Sequence, residues 1–119
     1  MPTVTLSLEA EAVIRREAMQ AYPREACGLL LGLTRPRRIA RAHPARNLEA
    51  GGARFTLDPR DFVAADVAAR AAGLEIVGAY HSHPDAPACP SRADEDAAQP
   101  GWSHVIASVR AGTATPQPD

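Results

Sequence analysis

At 119 residues with 45% hydrophobic content, the chain is sized for one compact domain and is short for two independent cores. Its formal net charge is -1, and its 13 basic residues are all arginine, dispersed apart from a small cluster at Arg35, Arg37 and Arg38; this argues against nucleic acid as a partner. No run of about 18 apolar residues appears and the N-terminus lacks a secretory-signal pattern, so no membrane association and a cytoplasmic location are expected.

Aromatic content is only 4%, so the core must be built from Ala, Val, Leu and Ile. Thr3 to Ser7 reads as a short strand, after which Ser7 caps a helix carrying Ala10, Val13, Ile14 and Ala18 on one face. Pro23 should end that helix. Cys27 to Leu33 is an apolar run suited to a strand buried on both faces, with Gly28 and Gly32 permitting close backbone approach. A further strand is expected from Ile39 to Asn47, interrupted by Pro44, followed by a flexible loop from Leu48 to Ala53.

Asp58-Pro59 opens a second helix, because Asp caps well and Pro is tolerated in the first turn. Phe62, Val63, Ala65, Val67, Ala68 and Ala71 form its apolar stripe, which stops at Gly73. Glu75 to His83 and Trp102 to Val109 are β-rich. Between them lie a loop from Asp85 to Pro90 and a short helix from Ser91. The order is mixed and not strictly alternating, which favours an α+β domain with helices packed on a mixed sheet over a doubly wound parallel sheet. Residues 1–110 are expected to form this domain and residues 111–119, GTATPQPD at their end, a flexible tail.

The chemistry concentrates in His81-Ser82-His83. A strand sends alternate side chains to one face, so two imidazoles at i and i+2 converge on one point, a spacing that suits a metal; two surface histidines that happen to alternate would look the same. Asp94 follows after a loop long enough to fold back, and two nitrogens with one oxygen suit Zn²⁺ with a position left open. On spacing alone Ser91-x-x-Asp94 reads first as a capping box, a reading compatible with a Ser91 hydroxyl that faces the metal.

These residues together resemble a known signature. HSHP at 81–84, then Ser91 and Asp94, is similar to the motif of the JAMM (MPN+) zinc metalloproteases, in their short prokaryotic form. Pro23 to Gly32 resembles the Glu-x-Cys-Gly-Leu-Leu-Leu-Gly segment of that family, and Arg54-Phe55 with Asp58-Pro59 matches its bacterial members. The similarity runs from about Leu6 to Val109. It implies a single MPN (cytidine deaminase-like) domain with a catalytic zinc held by His81, His83 and Asp94. It further implies Glu25 as the base that activates water and Ser91 as donor to the carbonyl oxygen that becomes an oxyanion. Spacing alone does not select Glu25 from Glu9, Glu11, Glu17, Glu49, Glu75 and Glu95; the resemblance does. Its position just before a buried strand is compatible with that role if the strand neighbours the one ending in His81.

Asp85, Asp96, His43 and His104 are set aside as turn, solvent or strand residues, and Cys27 as a small core residue. Both cysteines are expected to be reduced thiols. Cys89, in the loop before Asp94, is the thiol that could reach the metal as a fourth ligand. Family members commonly continue beyond the strand matching Trp102 to Val109, so the sheet is expected to end in an open edge suited to homodimerisation or peptide addition. The substrate class implied by resemblance is a ubiquitin-like or sulfur-carrier protein, cut after its C-terminal Gly-Gly. Competing functions are a non-catalytic interaction module of the same fold and a hydrolase of small amide adducts of a sulfur carrier.

Overall fold

The structure, a computed structural model, describes residues 4–49, 55–87, 101–110 and 113–118. Its elements in chain order are β1 (Thr5–Leu6), α1 (Leu8–Ala21), β2 (Cys27–Thr34), β3 (Arg37–Ala45), α2 (Pro59–Ala71), β4 (Glu75–Pro84), β5 (Ser103–Arg110) and β6 (Thr113–Pro118). The strands form one mixed sheet in the order β1-β3-β2-β4-β5-β6, parallel at β1/β3 and β4/β5 and antiparallel elsewhere. This is the α+β arrangement that the element order suggests.

The Ser7 hydroxyl does two jobs at the start of α1. It accepts from the Ala10 amide at 3.0 Å, satisfying one of the helix's orphan donors, and donates to the Ala40 carbonyl at 2.7 Å, tying the helix to β3. Glu9 and Glu11 in the first turn complement the helix dipole. The helix stops at Ala21, ahead of Pro23. Ala10, Ile14 and Ala18 lie fully buried against Leu30, Ile39, Val77, Tyr80, Val105, Ala107 and Val109.

Leu29 and Leu31 alternate with Leu30 along β2 and so point to the other face, where they pack with Ala65 and Ala69 of α2. The strand is buried on both sides, as its uninterrupted apolar run requires, and each leucine contributes roughly 1.5–3 kcal/mol by leaving water. The stripe expected on α2 is corrected in part. Val63 and Val67 are 61% and 62% exposed and Phe62 is 40% exposed, while Ala65 and Ala69 carry the contact. Two alanines one turn apart let the helix axis approach the sheet closely, and bulkier valines on that line would hold it off.

Pro44 does not interrupt β3. It pairs with Gly28 of β2, at a stretch of β3 whose other side β1, reaching only Arg38 and Ile39, leaves uncovered among the described residues, and a strand with one such edge tolerates proline. The final residues also differ from the expected tail. Thr113–Pro118 pair antiparallel with β5 from Val105↔Pro118 to Arg110↔Thr113. The open row of backbone donors and acceptors on β5 is thus taken up within the chain, and the sheet ends at β6 instead of β5.

Gly28 lets β2 run under the Tyr80 ring. A methyl group there would overlap both that ring and the His43 carbonyl oxygen. Gly28→Ala is therefore expected to cost about 1–3 kcal/mol through overpacking, read as a lower urea midpoint at unchanged slope.

Asp58 caps α2 and is itself buried. Its carboxylate accepts from the Arg60 amide at 2.9 Å and pairs with the Arg60 guanidinium at 2.8 Å and with Arg46 at 3.5 Å. The Arg60 side chain, chiefly, holds its pKa down at about 2. The unfolded value is about 3.9. A depressed folded pKa means stability that is full above about pH 4 and lost as pH falls toward about 2. Urea midpoints should therefore drop between about pH 6 and about pH 3, and drop less in Asp58→Asn.

Candidate active site

The register between β2 and β4 assembles the site. Cys27 pairs with His81 and Gly28 with Tyr80. One step further, the Ser82 amide donates to the Ala26 carbonyl at 3.0 Å, and the Ala26 amide donates to the Ser82 hydroxyl at 2.7 Å. Continuing the antiparallel ladder by one residue places Glu25 beside His83. Alternation then puts Glu25, His81 and His83 on one face, with Ser82 turned to the other, where it staples the strands.

All three are buried, at 7%, 4% and 9% exposure, and their ligand atoms lie within 4.8 Å of one another. The two histidine Nε2 atoms are 2.9 Å apart, and His83 Nδ1 lies 3.0 Å from the Pro87 carbonyl oxygen. A carbonyl can only accept, so His83 Nδ1 is the donor of that bond, which leaves Nε2, facing His81, as the nitrogen placed to act as a ligand. The donor set fits a zinc ion: two imidazole nitrogens turned toward one point, one ring fixed in tautomer by an outer hydrogen bond, and a carboxylate within reach.

The surroundings hold these groups in place. Phe55 stacks on His81 with centroids 4.7 Å apart and rings 23° from parallel. The turn after β4 is pinned from three sides. Asp85 adopts a left-handed φ of 54° and donates its amide to the Val109 carbonyl at 2.7 Å; Ser108 donates to the Ala86 carbonyl at 2.6 Å; and the Tyr22 hydroxyl donates to the Asp85 carboxylate at 2.7 Å. The bond to that carboxylate raises the Tyr22 pKa. Asp85 thus turns the chain, as its sequence position suggests, and also anchors the segment that presents the Pro87 carbonyl.

Cys27 lies on the same face, paired in register with His81. Its thiol donates to the Ala45 and Arg46 carbonyls at 3.8 Å each, and burial, with lesser effects from Asp61 and Glu25, pushes its pKa up to about 12. It is a buried neutral thiol, in keeping with a packing role. A cleft of about 260 Å³ beside the site is lined by Glu17, Gln20, Arg24, Glu25, Cys27 and Asn47, among others.

Of the residues the sequence singles out, the structure brings together Glu25, His81 and His83. Ser91, Asp94, Asp96 and Cys89 lie outside the described residues. His43 and His104 sit on β3 and β5 and are not part of the described cluster. Asn47 enters the sequence reading only as the end of the strand expected from Ile39, with no role at the site; its one local signal is an Asn at a strand end, a common place for a turn residue.

A family model for prokaryotic homologs of the JAB domain matches residues 7–117. A desampylase of Haloferax volcanii is 37% identical over 116 residues, covering 91% of this chain and 84% of that protein. Among solved structures, a protein of Desulfitobacterium hafniense superposes with a TM-score of 0.77 at 31% identity, covering 97% of this chain and 90% of that one. A JAB1/MPN domain protein of Archaeoglobus fulgidus shares the fold, with a TM-score of 0.63 at 17% identity over 96% of this chain and 88% of its own.

Proposed function

The chain belongs to the family of prokaryotic JAB-domain homologs, and from that premise we propose that it is a zinc-dependent peptidase or isopeptidase. On this reading it hydrolyses the bond after the C-terminal Gly-Gly of a ubiquitin-like or sulfur-carrier protein. The observation that carries the proposal is the buried convergence of Glu25, His81 and His83 within 4.8 Å. The similarity to a desampylase supports the hydrolase class.

His81 and His83 would hold the ion, with Asp94 as the third ligand that the motif supplies. Zinc held there would supply Lewis acidity, acidifying water to a pKa near about 7 and polarising a carbonyl. Glu25 would take the proton from the attacking water and deliver it to the departing amine, so one carboxylate serves both halves of the reaction. Burial suits it to that task, because little competing solvent reaches it. The Ser91 hydroxyl would donate to the carbonyl oxygen as negative charge develops on it.

Purified protein supplied with zinc should release Gly-Gly-terminated carrier from linear and isopeptide-linked extensions, with the cut located by mass spectrometry, and a chelator should stop it. The proposal fails if every extended carrier stays intact and the natural chain cannot be told from Glu25→Ala.

A further inference from the structure

The Asn47 carboxamide joins three chain segments that all border the site. Its Nδ2 donates to the Glu25 carbonyl at 3.0 Å, and its Oδ1 accepts from the Glu49 amide at 2.9 Å and the Thr56 amide at 3.0 Å. Its backbone adds two ties: the Asn47 carbonyl accepts from Arg24 at 3.2 Å, and Asn47 bridges Leu57. Arg24 precedes Glu25. Thr56 follows Phe55, whose ring lies on His81.

We propose that Asn47 is a positioning residue that sets the backbone of Glu25 and the Phe55–His81 stack in one frame. The inference rests on the zinc-hydrolase reading of the site and adds to it the group that couples its two halves. A side chain with a donor nitrogen beside an acceptor oxygen suits this place: an amide nitrogen is needed for a carbonyl on one side, and an oxygen for two amides on the other. The bond to Glu25 spans 22 residues and those to Glu49 and Thr56 span 2 and 9, so removing the carboxamide loosens the Phe55 turn and the Glu25 segment together while the ties to the Asn47 backbone remain. Groups that hydrogen-bond to metal ligands orient them, and losing one typically lowers metal affinity or activity about 10- to 100-fold; Asn47 acts one step further out, through the Glu25 backbone and the Phe55 turn, so the lower end of that range, about 10-fold, is expected.

Two variants separate the roles. Asn47→Ala removes both sets of bonds, whereas Asn47→Asp keeps an oxygen for Glu49 and Thr56 and loses the donor to Glu25. Zinc alone is titrated into the purified natural chain, both variants and His81→Ala against a competing chelator, with circular dichroism reporting the fold. Asn47→Ala should bind zinc about 10-fold or more weakly. Asn47→Asp should bind nearly as the natural chain does, yet lose kcat on a Gly-Gly-extended carrier at unchanged KM. Natural zinc affinity in Asn47→Ala, natural kcat in Asn47→Asp, or equal zinc losses in both variants overturns the inference. If His81→Ala also binds zinc as the natural chain does, or the natural chain binds none, the zinc reading of the site falls as well.

Discussion

Glu25→Gln is expected to lower kcat by about 10²- to 10⁴-fold, the range that a positioned proton-transfer group contributes, with zinc still bound. Gln keeps the shape and the hydrogen-bonding reach of Glu but cannot accept and return a proton. The Glu25 carboxylate oxygen lies within 4.8 Å of both imidazole nitrogens, close enough either to act on water beside an ion or to bind the ion itself. Zinc affinity separates the two. Full affinity with lost turnover assigns Glu25 to proton transfer, whereas affinity lost in parallel with rate makes it a ligand. Natural turnover in Glu25→Gln would remove it from the chemistry altogether.

His83→Ala should act on the metal first, weakening zinc by more than the roughly 10- to 100-fold that loss of an outer partner costs, and turnover should fall with it. The imidazole is buried and its Nδ1 proton satisfies the Pro87 carbonyl, so truncation removes an inward nitrogen and orphans an acceptor at one stroke. Because that loss could also loosen the turn after β4, His83→Gln serves as a second variant, filling most of the volume. Chelator competition reports affinity and thermal melting reports the fold. Variants that melt normally and bind zinc at natural strength would show that the ion, if any, is held elsewhere.

How much of this was legible beforehand differs by element. The Ser7 cap, the stop before Pro23, the Asp58-Pro59 start of α2 and the doubly buried β2 follow from local rules, and each is found where the residues place it. Which face of α2 packs was not legible. Ala65 and Ala69 won over Val63 and Val67 because closeness of approach, and not side-chain hydrophobicity alone, decides a helix–sheet contact. Residues 113–118 carry two prolines and few apolar groups, and their pairing depends on a vacant edge of β5 that no local pattern reveals.

What the sequence by itself determined is which groups to look for. Two histidines at strand spacing before a proline, read with the glutamate-containing segment upstream, name the groups and the family they resemble. What only the tertiary structure decided is their meeting. Glu25 stands beside His83 because β2 and β4 hold one register from Leu30 back to Cys27, stapled just beyond by Ala26 and Ser82 across 56 residues, and a slip of one residue there would turn the carboxylate to the opposite face. Propensity and capping act over a few residues, whereas register is settled by which faces bury best across the whole sheet. The frame around Asn47 arises the same way, from three segments that only folding brings together.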